Sequence, residues 1–163
     1  MTERTFEISY NFERPWDLVC RAYLAKYPHP LLSHVETLDT LERYVDDNGC
    51  LVTCRVMTSS FLKFSSVAGF EQSVIDPINK TIYLNSNNLS HRNLSSSNEI
   101  CRYSVVDDKT TLYTLSYKIN VAPGLGLLIS PLLNTIKGNF NKGIQVLEEI
   151  MRNRFGGPLL QVS

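Results

Sequence analysis

An excess of charge of either sign is missing from this chain. Sixteen Lys and Arg are matched by sixteen Asp and Glu over 163 residues, so no global field attracts nucleic acid, and any anion must be recognised locally. Long apolar runs are missing too, since nothing approaches the roughly 20 apolar residues that span a bilayer. The stretch Met1-Thr-Glu-Arg-Thr-Phe6 has neither an apolar signal core nor an Arg-rich presequence, so a cleaved leader is not expected. The four cysteines, Cys20, Cys50, Cys54 and Cys101, form no CxxC pair, and His29, His34 and His91 are scattered. Cys50 and Cys54 share one strand face but lie too far apart to bridge readily. No metal or cofactor is expected, and the cysteines read as buried or half-buried thiols. No Ser/His/Asp set or close carboxylate pair emerges, which argues against an enzyme. Repeats and interdomain linkers are lacking as well, so residues 1–155 are expected to form one domain with a real core, followed by a loose tail over 156–163.

What is present is strong periodicity. Thr5 to Phe12 alternates, with Phe6, Ile8, Tyr10 and Phe12 on one face, as a half-buried strand does. Pro15 suits a first helical position, and Trp16, Val19, Cys20, Tyr23, Leu24 and Tyr27 recur at helical spacing until Pro28 and Pro30 end the run. Strands are expected over 34–45, 50–57, 70–76, 81–88, 99–106 and 110–121. Asp46-Asp47-Asn48-Gly49, Pro77-Ile78-Asn79-Lys80 and Asp107-Asp108-Lys109 serve as turns between them. Residues 58–69 read as a Ser-rich connection with an apolar centre. After Pro123-Gly124-Leu125-Gly126 comes a helix of roughly 25 residues, starting at Pro131 with Ser130 as its cap, or earlier with Pro131 as a kink. Short turns imply antiparallel neighbours, so the expected fold is α+β: a curved antiparallel sheet of about seven strands wrapped around the last helix. The first third brings Lys26, His34 and Arg55 around one apolar element. A cavity oily inside and positive at its mouth suits an anionic lipid.

The chain resembles the PRELI-like (slowmo-type) family of intramitochondrial phospholipid-transfer proteins. The matching text runs Phe12-Glu-Arg-Pro-Trp16, Lys26-Tyr27-Pro28-His29-Pro30, Ser33-His34-Val35 and the 38–55 hairpin. It continues with Glu71-Gln-Ser73-Val-Ile-Asp76-Pro77, Lys80-Thr81, Asn88-Leu89-Ser90 and Asn139-Phe-Asn-Lys142-Gly143. The resemblance implies a helix-grip, START-like sheet enclosing a hydrophobic tunnel for acyl chains. Carried over position by position, it assigns headgroup contact to Lys26, His34, Arg55, Asn139 and Lys142. It further implies the mitochondrial intermembrane space, a small twin-disulfide helical-hairpin chaperone as partner, and transient contact with an anionic membrane surface. Phosphatidic acid is the favoured cargo, with phosphatidylserine as an alternative.

One departure stands out. Where the family carries a longer lid between Arg55 and Asp76-Pro77, this chain is shortened, and Ser59 and Ser60 replace basic residues at the lid root. Phe61, Leu62, Lys63 and Phe64 are left as a stubby lid or membrane-touching tip. Simpler roles compete at each position. Arg55 can pair with Glu42 or Glu71, Lys26 can cap a helix dipole, and Asn139 with Lys142 can be a polar helix edge. The runner-up function is a helix-grip module that binds a lipid or partner without transferring it.

Overall fold

Burial along Thr110–Val121 alternates residue by residue, with Tyr113, Leu115, Tyr117, Ile119 and Val121 all inward. That period of two identifies a strand buried on one face. The computed structural model describes residues 1–61 and 65–155. In chain order these form β1 (Thr2–Phe12), α1 (Trp16–Leu24), a 3-10 turn (Pro30–Leu32), β2 (Val35–Val45), β3 (Leu51–Phe61) and β4 (Ser65–Asp76). There follow β5 (Thr81–Asn88), β6 (Ser95–Asp107), β7 (Thr110–Val121), a second 3-10 turn (Gly126–Leu128) and α2 (Ile129–Ile150), which ends in a π-helical turn over Met151–Phe155. All seven strands join one antiparallel sheet in the order β1-β7-β6-β5-β4-β3-β2. The expected curved sheet with a gripping helix is what forms.

β1 and β2 occupy opposite edges, so α1 and the 3-10 turn must carry the chain across the sheet. α1 starts without a side-chain cap; Pro15 is its N-cap, and the Pro15 carbonyl accepts the amides of Leu18 and Val19 at 3.1 and 3.2 Å. The buried Thr111 hydroxyl donates to the Arg14 carbonyl at 2.9 Å and holds that entry against β7. In the β2–β3 hairpin, Asp46 Oδ1 accepts the amides of Asn48 and Cys50, both at 2.9 Å, and Gly49 takes a φ of 79° that a side chain would resist.

Several boundaries differ from the sequence reading. Residues 58–61 and 65–69 are not a connection: they extend β3 and β4 in continuous register down to Phe61 opposite Ser65. Serine is a weak strand former, and cross-strand pairing overrides that preference. Of the residues expected to form a lid, Leu62, Lys63 and Phe64 lie outside the described residues, as does the 156–163 tail, and of Phe61 only the backbone is described. α1 stops at Leu24, so Tyr27 is not part of its stripe. Of the two starts weighed for α2, the earlier is the one that forms: the helix begins at Ile129, with Pro131 inside its first turn, where a missing N–H costs nothing.

The space between sheet and α2 is packed at one end only. Val146, Leu147 and Met151 are fully buried, together with Val19 and Ala22 of α1 and Phe12 of β1. An aromatic ladder closes that packed end: Tyr103 stacks on Tyr113 at 4.3 Å, and Tyr113 on Phe140 at 4.7 Å. Towards the start of α2 the ladder gives way to open space.

Candidate functional site: a cavity between the sheet and the last helix

That space is a half-open cavity of about 250 Å³. Its two walls differ in chemistry. α2 and β7 contribute Leu132, Ile136, Phe140, Leu115 and Ile119, an apolar wall. The strands from β3 to β6 contribute Ser59, Ser86, Asn88, Ser97, Glu71 and Glu99, a wall of hydroxyls, amides and acids. The interior is therefore more polar than an oily tunnel. Exposed Ser60, Asn87 and His91 among the lining residues mark its opening to solvent.

Of the five residues assigned to a headgroup, the structure brings Lys26, His34 and Asn139 into this cavity. Lys26 follows α1, and its Nζ lies over the Tyr27 ring, 5.3 Å from the centroid. It reaches Gly143 on α2, where even a Cβ would stand in ordinary van der Waals contact with Nζ, at 3.5 Å. Lys26 thus sits against the helix at the inner end of the cavity, not at the mouth. Burial pulls its pKa down, but the acidic groups of Tyr27, Cys101, Glu71 and Glu99 outweigh this and hold the ammonium charged. Burial in turn pushes the Glu99 carboxyl up, and Lys26 only partly offsets that. Cys101 Sγ donates to Glu99 at 3.6 Å.

Arg55 lies elsewhere. It projects from the same β3 face but ion-pairs with Glu71 opposite it on β4; its Nε donates to Glu71 Oε1 at 2.9 Å. Of the two acids weighed as its partner, Glu71 is the one used. The guanidinium also stacks on Tyr27 at 5.6 Å and faces a second, smaller pocket. Lys142 is exposed and does not line the cavity, whereas Asn139, one turn earlier, does. Helix rotation separates the two, since residues three apart differ by about 60° around the axis at 3.6 residues per turn.

His34 enters at the mouth, where its carbonyl accepts the Ser60 amide at 2.8 Å. Its Nδ1 is buried with no partner among the described residues. Burial depresses its pKa, and the positive charges of Lys142 and Lys26 act in the same direction. The sign follows from linkage: the unfolded imidazole, at 6.5, binds a proton that the folded one refuses. Its contribution to stability is complete above 6.5 and is lost as pH falls from there to the folded pKa. Lys142→Gln is expected to move the His34 titration, followed by imidazole NMR, back towards 6.5. An unmoved midpoint would remove Lys142 as a cause.

Sequence reasoning missed Glu99. The signal was a charged residue on the inward face of a strand, paired across from Ser86 and Tyr117. A strand start placed at Glu99 hid that register, because β6 begins four residues earlier, at Ser95.

The PRELI-like family matches residues 17–156. The chain belongs to that family. Among its relatives are the Ups1 homolog of Schizosaccharomyces pombe, 38% identical over 85 residues (47% of this chain, 50% of the relative), and the mitochondrial protein UPS2 of Saccharomyces cerevisiae, 33% identical over 123 residues (69% and 54%). The mitochondrial protein UPS1 of the same yeast is 29% identical over 129 residues, 73% of each chain. The match thus spans about half the length of the first two relatives. Solved structures share the fold at low identity. The Zhui aromatase/cyclase of Streptomyces sp. R1128 superposes with a TM-score of 0.69 at 12% identity, covering 94% of this chain and 99% of that one. Norcoclaurine synthase of Thalictrum flavum superposes with a TM-score of 0.62 at 16% identity, covering 92% and 87%. At such identity these neighbours speak for helix-grip architecture alone.

Proposed function

We propose that this PRELI-like chain carries an anionic glycerophospholipid between mitochondrial membranes across the intermembrane space, with no covalent chemistry. The observation that carries the reading is the half-open cavity with one apolar wall and a half-buried cation, Lys26, at its inner end. The mitochondrial designation of the relatives UPS1 and UPS2 supports the compartment. A twin-disulfide hairpin chaperone and a transient anionic membrane surface are the partners this reading entails.

Acyl chains pass from one apolar setting to another, so their transfer is close to neutral and the headgroup decides selectivity. Charge-assisted hydrogen bonds of about 1.5–3 kcal/mol each suffice for that. Lys26, His34 and Asn139 are the groups within the cavity that would supply them. Phosphatidic acid is the favoured cargo because its phosphate meets an ammonium with few other demands. Phosphatidylserine is the second reading, favoured by Glu99, which offers a headgroup amine an acceptor beside Lys26.

The test is transfer of fluorescent phosphatidic acid between liposomes, with native mass spectrometry of the purified chain. Lys26→Met should slow transfer about tenfold or more, the equivalent of one charge-assisted bond. Exposed Lys142→Glu should change it by no more than about fivefold. A chain that binds no phospholipid would sink the lipid reading. Bound lipid without transfer would favour the static module, and full transfer by Lys26→Met would remove Lys26 from the headgroup site.

A further inference from the structure

A second pocket of about 180 Å³ lies behind Tyr27, which contributes to both cavities. The Arg55–Glu71 pair stands in the same partition, with Glu71 lining the large cavity and Arg55 the small one. The small pocket carries two guanidinium groups and several hydroxyls in a compact space.

A β-bulge builds it. In β2, Leu38 pairs with Met57 and Thr40 with Arg55, but the register shifts between Thr40 and Glu42, and Arg43 then pairs with Thr53. Leu41 is the extra residue and is 63% exposed. Strict alternation would send Arg43 to the face opposite Thr40. The bulge turns it back, so that Leu38, Thr40 and Arg43 all line the pocket.

Arg43 Nε donates to Thr53 Oγ1 at 3.2 Å, which leaves the buried threonine's own proton to point elsewhere. The terminal nitrogens of Arg43 have no acidic partner among the described residues. Arg55 uses Nε and one terminal nitrogen on Glu71, and its other terminal nitrogen makes no hydrogen bond there. Ser73 is buried, and the shielded Tyr23 hydroxyl lies near it without a well-formed hydrogen bond. With Glu71 counted against Arg55, the pocket retains one net positive charge.

The geometry points to a site for a small oxyanion of the phosphate class, held between Arg43 and Arg55 and met by the hydroxyls of Thr40, Thr53 and Ser73. Planar guanidinium forks match such oxygens in pairs. The site stands whether or not the large cavity carries lipid.

The test titrates inorganic phosphate into the isotopically labelled full chain and follows the arginine Nε–H signals by NMR. Saturable shifts of both Arg43 and Arg55 are expected. Arg43→Gln should weaken phosphate at least tenfold, and Thr53→Val, which leaves the charge intact, by a smaller factor. Lys26→Met, in the other cavity, should leave the dissociation constant within about twofold. A short-chain phosphatidic acid then separates the sources. Displacement of inorganic phosphate from Arg43 assigns the site to a lipid phosphate, and coexistence assigns it to a free anion. Unchanged phosphate binding in Arg43→Gln, or its loss in Lys26→Met instead, would overturn the proposal.

Discussion

Replacing Glu71 with alanine is expected to destabilise the chain by about 3–5 kcal/mol, the cost of stranding one member of a buried ion pair. Both partners are well covered, with side-chain exposures of 7% for Glu71 and 13% for Arg55, so solvent screening relieves little of it. At about 2–4 °C per kcal/mol for a chain of this size, the melting temperature should fall by roughly 6–20 °C. The double variant Arg55→Met/Glu71→Leu removes both charges and should stay close to the parent in stability, because the desolvation penalty disappears along with the attraction. Thermal unfolding of the two variants side by side decides the matter. A single variant that melts with the parent would mean that water already screens the pair. The contrast bears on function, since this pair forms part of the partition between the two pockets.

Filling the large cavity is expected to have the largest effect on lipid. Ile136 faces it from α2 and is 6% exposed. Ile136→Trp should abolish co-purified phospholipid and cut transfer at least tenfold, while overpacking costs the fold only about 1–3 kcal/mol. Ile136→Val is the matched control. It loses about 0.5–1.5 kcal/mol through a small void and should still load and transfer lipid. Similar destabilisation with opposite effects on cargo ties transfer to cavity volume and not to general loosening. If Ile136→Trp keeps its lipid, the cargo does not lie against α2.

The strands and the long helix were legible because their signals are local. Thr110 to Val121 alternates in sequence just as it does in burial, and Leu132, Ile136 and Phe140 recur at the spacing of one helix face. The Asp46 to Gly49 turn could be read in the same way, since its hydrogen bonds close within five residues. The ends of β3 and β4 were not legible. Their serines enter strands only because each finds a partner across the hairpin, and pairing is not a property of one segment.

The candidate site was half legible. Lys26, His34 and Asn139, three of the five residues named from the family resemblance, line one cavity, and Arg55 spends its charge on Glu71. Glu99 and Arg43 went unnoticed. One hid behind a strand start set too late, the other behind a single extra residue, Leu41, that reverses which face Arg43 occupies.

By itself the sequence determined the period of each element, the turns that join neighbours and the absence of net charge, all set by residues close together along the chain. Only the tertiary structure decided where between sheet and helix the interior stays open, that its polar wall carries acids beside Lys26, and that Arg55 looks into a different pocket. Those outcomes depend on register and on which side chains meet across the sheet, and a shift of one residue inverts every face.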